Sequence, residues 1–227
     1  MDENTLHVAF PAPTALRDAI DVYLAQCDGE PGVSHVAELE LLVTEFVDVV
    51  LSVYFKGPIE AANTQGTAAR LILGAMRIIN RAADSLVGRL IRNTTVAEQQ
   101  ALADYFQRLR KPLNGRVYAA YPLEPAMAEK ASMVFLEYQQ DEGQLEVLLS
   151  VMQAINDGAV VHFMDNSVSC LQLGRVNRAL VSAARVTICK AAASATHKGL
   201  TAMDTDARKA VVGYFDNMLI RLSLIHI

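Results

Sequence analysis

A chain of 227 residues that is 52% apolar and 20% charged is long and hydrophobic enough to bury a substantial core, which excludes a disordered chain. Seven prolines and twelve glycines are too few for the many turns of an all-β fold, so helices are favoured. A formal charge of −5 argues against wholesale electrostatic binding of nucleic acid, although a local basic face remains compatible with it.

Cys27, Cys170 and Cys189 are odd in number and widely spaced, with no metal-type partners beside them. Neither a disulfide framework nor a zinc site is expected, and a reducing, cytoplasmic setting fits. The opening MDENTLHVAF begins with acids and lacks the pattern of a signal peptide. The most apolar run, Val43 to Phe55, is cut by Glu45 and Asp48 and is too short to span a bilayer.

After a short lead, Thr14 to Cys27 carries Ala15, Ala19, Val22 and Tyr23 at helical spacing, and Gly29, Pro31 and Gly32 stop it. Ser34 is placed to cap a helix over His35 to Phe55, which Lys56, Gly57 and Pro58 end. Asn63 to Asn93 reads as one long helix. Its Arg70, Arg77, Arg81 and Arg92 share an outer face, opposite Ile72, Ala75, Ile79, Ala82, Leu86 and Leu90. Thr95 followed by Glu98 has the form of a capping box and opens a fourth helix to Arg110.

Residues 111–123, with Pro112, Asn114, Gly115 and Pro122, are the best linker candidate. The helical pattern then resumes at Glu124 to Gln140, Gln144 to about Met164, Gly174 to Thr196 and Asp204 to Leu222. Asn156-Asp157-Gly158 reads as a turn inside the second of these, which predicts a bent or broken helix there.

The two halves echo one another. Phe10-Pro11 with Pro13 recurs as Tyr121-Pro122 with Pro125, Gly66 with Ala75 and Arg77 recurs as Gly174 with Ala183 and Arg185, and Tyr105-Phe106 recurs as Tyr214-Phe215. Charge repeats independently: residues 1–69 carry −9, 70–116 carry +6, 117–165 carry −7 and 166–227 carry +5. The expected fold is all-α, a bundle of about eight helices in two tandem pseudo-symmetric four-helix repeats, 1–112 and 117–227, packed as one domain.

The plain explanation of the charge alternation is that acidic and basic helices of one chain neutralise each other, with little energy from each exposed pair. The sharper one is that Arg70, Arg77, Arg81, Arg178, Arg185 and Lys190 face an anionic partner, since the planar arginine fork suits carboxylate and phosphate. Serine elbows, phosphate-cradling loops and dinucleotide fingerprints are absent. His162 with Asp165 shares a helical face, but no Glu-x-x-His pair completes a di-metal bundle. Tyr105, Phe106, Tyr214 and Phe215 read as core. The chain is therefore expected to be a non-enzymatic regulatory or adaptor protein. On this reading it needs no cofactor or metal and engages a protein partner or a second copy of itself. The alternative is a small-molecule or anion-binding protein, an enzyme included, with its site between the repeats; nucleic acid ranks third. The apolar run Leu219 to Ile227 is expected to pack on the body or on another subunit.

Overall fold

In the computed structural model, residues 5–29 and 32–221 are described. The chain is 75% helical. Strand β1 (Leu6–Pro11) leads into α1 (Thr14–Gly29) and α2 (Val36–Leu51). A π-helical turn (Ser52–Lys56) joins α2 to the short α3 (Gly57–Ala61), followed by α4 (Gly66–Leu90), a 3-10 turn (Ile91–Asn93) and α5 (Val96–Leu109). Strands β2 (Arg110–Leu113) and β3 (Arg116–Pro122) form a hairpin. Then come α6 (Pro125–Gln139), α7 (Leu145–Ala159), a second π-helical turn (Val160–Asp165), α8 (Asn166–Val168), α9 (Arg175–Thr201), α10 (Thr205–Asp216) and β4 (Leu219–Arg221). The eight principal helices expected from periodicity are present.

The architecture is mostly α, as expected, and the strictly all-α reading is corrected only by a small four-stranded antiparallel sheet of order β2-β3-β1-β4. Its central pair, β1 and β3, runs through the segments read as a lead and a linker, with Ala9 facing Ala120. Both strands are short, and three consecutive residues in each, Val8 to Phe10 and Ala119 to Tyr121, are buried. Covered on both faces, they show none of the alternation that marks a half-exposed strand. Asn114 and Gly115, with φ of 49° and 72°, make the tight turn that looked like a linker. Of the apolar run from Leu219, three residues form β4; the rest lies outside the described residues.

Local chemistry sets the helix ends. The Thr95 capping box forms as expected, the Glu98 carboxylate accepting from the Thr95 N–H at 2.7 Å. Ser34 does not cap α2. Its hydroxyl accepts instead from the Gln99 amide at 3.0 Å, while the Gln99 carbonyl oxygen accepts from the His35 N–H at 2.8 Å. This buried glutamine ties the α1–α2 connection to α5. At Asn156-Asp157-Gly158 the α-helix continues and widens just beyond, at Val160. Turn chemistry is overridden by packing: a Cβ on Gly158 would lie 3.1 Å from the Tyr121 ring, so glycine lets β3 approach the helix.

The longest helices, α4 and α9, pack against each other in antiparallel fashion. Ala191, Ala192, Ala195 and Gly199 are buried on α9, and a Cβ on Gly199 would come 2.7 Å from Ile72. Small residues thus set a close crossing. Nine residues on from Ile72 and nine back from Gly199, Arg81 and Lys190 stand at the same level of the pair.

Leu145–Val168 is one helical run long and apolar enough, by length and composition, to cross a membrane. Here it packs against α6 and α9, with Leu148, Val151 and Ile155 fully buried.

Candidate functional site at the seam between the halves

The two π-helical turns define the site. A π turn holds an extra residue, so it re-aims side chains relative to the helix before it and disturbs the backbone ladder. After Leu51, this lets the adjacent Tyr54 and Phe55 both point inward, at 7% and 8% exposure. After Ala159 it turns Phe163 into the core. Phe163 then meets the edges or faces of Phe10, Phe46, Tyr54 and Tyr121, with ring centroids 6.0, 5.3, 6.4 and 5.2 Å away. Such near-perpendicular pairs add to plain burial through the ring quadrupoles.

Each π turn is also held by a tyrosine from the other half of the chain. The Tyr105 hydroxyl on α5 donates to the His162 carbonyl at 2.9 Å, and the Tyr214 hydroxyl on α10 donates to the Val53 carbonyl at 2.9 Å. The Tyr121 hydroxyl donates to the Ile155 carbonyl at 2.8 Å and meets the Tyr54 hydroxyl at 3.1 Å. Burial pushes the phenol pKa values of Tyr54, Tyr105 and Tyr121 up, so these groups stay protonated donors.

Between the turns lies a cavity of about 190 Å³, walled by α2 and α4 from the first half and α7 and α9 from the second. Val47, Ile79, Ala83, Leu86, Phe163 and Ile188 are among its apolar lining. Its few polar neighbours are already engaged. The Asn156 amide donates to the Thr196 hydroxyl at 2.7 Å, and the Ser167 hydroxyl donates to the carbonyls of Phe163 and Met164 at 2.9 Å. The lining includes no acid, base or cation.

His162 stacks on Tyr121, with centroids 4.8 Å apart and rings 15° from parallel, and burial pushes its pKa down. Asp165, expected to share its face, instead pairs with Arg185 at 2.9 Å. Among the described residues, no group of three or more His, Cys, Asp or Glu is arranged to hold a metal.

The predicted anion-facing residues are all exposed on α4 and α9, outside the cavity. Arg70 donates to the Gly66 carbonyl and the Thr67 hydroxyl, Arg178 to the Leu173 carbonyl, and Arg185 to Asp165. Arg77, Arg81 and Lys190 have no ion-pair partner among the described residues. The four ion pairs found there, Arg92–Glu40, Arg110–Asp21, Arg185–Asp165 and Lys209–Asp141, each join an acidic early element to a basic later one in the same half. Neutralisation within each half thus accounts for part of the charge alternation.

Sequence reasoning missed the aromatic lining around Phe163. Its signal was present in the paired Tyr-Phe dipeptides, which read as core, and in the irregular helix near Gly158, which read as a turn. No protein-family model, curated protein or solved structure matches this chain.

Proposed function

We propose that this chain is a non-enzymatic binding protein that holds an apolar group in the cavity between its two halves. The observation that carries this reading is the cavity's lining: almost entirely apolar, with the side chains of its polar members, Tyr54, Asn156 and Ser167, already hydrogen-bonded within the protein. Such a space gains nothing from an ionic ligand and favours a hydrocarbon or aromatic occupant. Its volume of about 190 Å³ is comparable to dry cavities of about 150 Å³ that take up benzene. An anionic ligand at the seam is therefore disfavoured, and no acid or base is positioned there for catalysis.

The proposal includes a duplicated architecture, two related units meeting about a pseudo-twofold relation in one domain. Support comes from the recurring element order, the pairing of Ala9 with Ala120, and the reciprocal Tyr105 and Tyr214 hydrogen bonds. The cavity then lies where the copies face each other.

Displacement of a fluorescent apolar probe tests the reading. The native chain is expected to bind the probe with one-to-one stoichiometry, and Ala83→Phe, which fills the cavity, to abolish binding while melting as a folded protein. Undiminished probe binding by a folded Ala83→Phe variant would overturn it.

A regulatory or adaptor role has one specific observation behind it. A shallow groove between α1 and α2 has an apolar floor of Ala15, Ala19, Val22 and Leu41 and a rim of Asp18, Glu38 and Glu45. Val22 and Leu41 are more than half exposed. This suits a basic amphipathic helix of a protein partner; charge reversal at Glu38 and Glu45 that left partner capture unchanged would remove it.

A further inference from the structure

We infer that the outer face of the α4–α9 pair docks onto an anionic lipid surface. Charge is the first observation. Helix α9 carries Arg175, Arg178, Arg185, Lys190 and Lys198 and no acid along its 27 residues, while α4 carries Arg70, Arg77, Arg81 and Arg89 against Asp84 alone. Only Arg185 among these cations is in an ion pair within the described residues. The other cations of the two helices are all exposed to solvent.

Apolar exposure on the same two helices is the second observation. Leu71, Leu73 and Ile78 on α4, and Val176 and Val186 on α9, stand in solvent at 37%, 37%, 48%, 66% and 49% exposure. At about 100° of rotation per residue, Leu71 and Ile78 flank the arginine stripe of α4 on one side and Leu73 on the other, and Val176 and Val186 fall beside Arg175 and Lys190 on α9. The charges suit lipid headgroups and the aliphatic side chains the acyl boundary beneath. Shape agrees. Two antiparallel helices in close contact give a rigid strip about 40 Å long, from 1.5 Å of rise per residue, which fits a plane.

Nucleic acid fits this face less well. Neither helix contains a Phe, Tyr or Trp on which a base could stack, and exposed leucine, isoleucine and valine gain nothing against a phosphate backbone. The inner faces of α4 and α9 wall the seam cavity, but the docking inference rests on their outer faces and stands apart from the cavity reading.

Co-sedimentation of the full chain with vesicles is the test, comparing phosphatidylcholine alone with phosphatidylcholine containing roughly 30% phosphatidylglycerol. Binding is expected to the anionic vesicles only and to weaken with salt. Arg81→Glu combined with Lys190→Glu is expected to lower affinity at least about tenfold, and Leu73→Ser with Ile78→Ser to lower it as well. All four positions are solvent-accessible, so the variants should melt like the parent; their binding of the apolar probe should also be unchanged. No binding to anionic vesicles, equal binding to neutral ones, or full binding by the folded charge-reversed variant would each overturn the inference. Tighter binding to duplex DNA or to an acidic protein than to anionic vesicles would overturn it too.

Discussion

The hydroxyl of Tyr105 reaches across the seam to the backbone carbonyl of His162, 2.9 Å away. Tyr214 makes the same bond in the opposite sense, to Val53. Each widened turn therefore depends on a residue from the other half of the chain. Tyr105→Phe removes a hydroxyl on a residue that is 5% exposed, and with it the bond to the His162 carbonyl, and is expected to cost about 0.5–1.5 kcal/mol. Tyr214→Phe, at a half-buried position, should cost less. Denaturant midpoints measure both, and equal or negligible costs would argue against the hydroxyls holding the turns.

Glycines separate two situations. A Cβ at Gly57 would collide with the Tyr214 ring and hydroxyl, so Gly57→Ala should displace Tyr214 and destabilise the fold by about 1–3 kcal/mol. Because both changes break the Val53 bond, Gly57→Ala combined with Tyr214→Phe should cost less than the sum of the single variants. Gly74, inside α4, has open space where its Cβ would stand; Gly74→Ala should stabilise by about 0.5–1 kcal/mol. Thermal melting of the two alanine variants in opposite directions is the expected result.

Gln99 serves both ends of its amide, donating to Ser34 and to Thr94 and accepting from the His35 N–H. Its backbone carbonyl also accepts from the Tyr23 hydroxyl at 2.7 Å. Gln99→Leu keeps the volume and strands the His35 N–H, at a cost of about 1–3 kcal/mol. Hydrogen exchange should rise first at His35, so uniform exchange across the chain would contradict the assigned role.

Acid should act in two steps. Burial pushes the His162 pKa down, so the unfolded chain takes up a proton more readily, and stability begins to fall as pH drops below about 6.5, the free histidine value. Glu98 behaves differently. Burial alone would raise its pKa, but hydrogen bonds from the Thr95 N–H, the Gln172 N–H and the Thr95 hydroxyl outweigh it and hold the carboxyl below its usual range. Its contribution is complete above about pH 4.3, the free carboxyl value, and is lost as pH falls through the depressed folded value. Glu98→Gln should flatten the second step, and His162→Phe should reduce the first without abolishing it, because burial also pushes the His7 pKa down. Denaturant midpoints from pH 8 to pH 3 check both.

The long helices were legible because their apolar residues recur at helical spacing and their ends carry recognisable chemistry, as at Thr95 and Glu98. The sheet was not. Val8 to Phe10 and Ala119 to Tyr121 are too short and too completely buried to show strand alternation, and Pro112, Asn114 and Gly115 signal a turn without saying that strands flank it. The cavity was harder still. Phe46, Ile79 and Phe163 read as ordinary core residues, and only tertiary packing leaves space between them. The arginine stripe was visible at once because exposed charge on a helix face follows directly from residue spacing.

The sheet order β2-β3-β1-β4 has a consequence for synthesis on the ribosome. Strand β1 is made before any other described element, yet its partners are β3, over a hundred residues later, and β4, near residue 220. Until both have emerged, Val8 and Phe10 have no sheet to join. The earliest strand translated is thus among the last to be secured, and folding is held back by contacts of very long sequence separation.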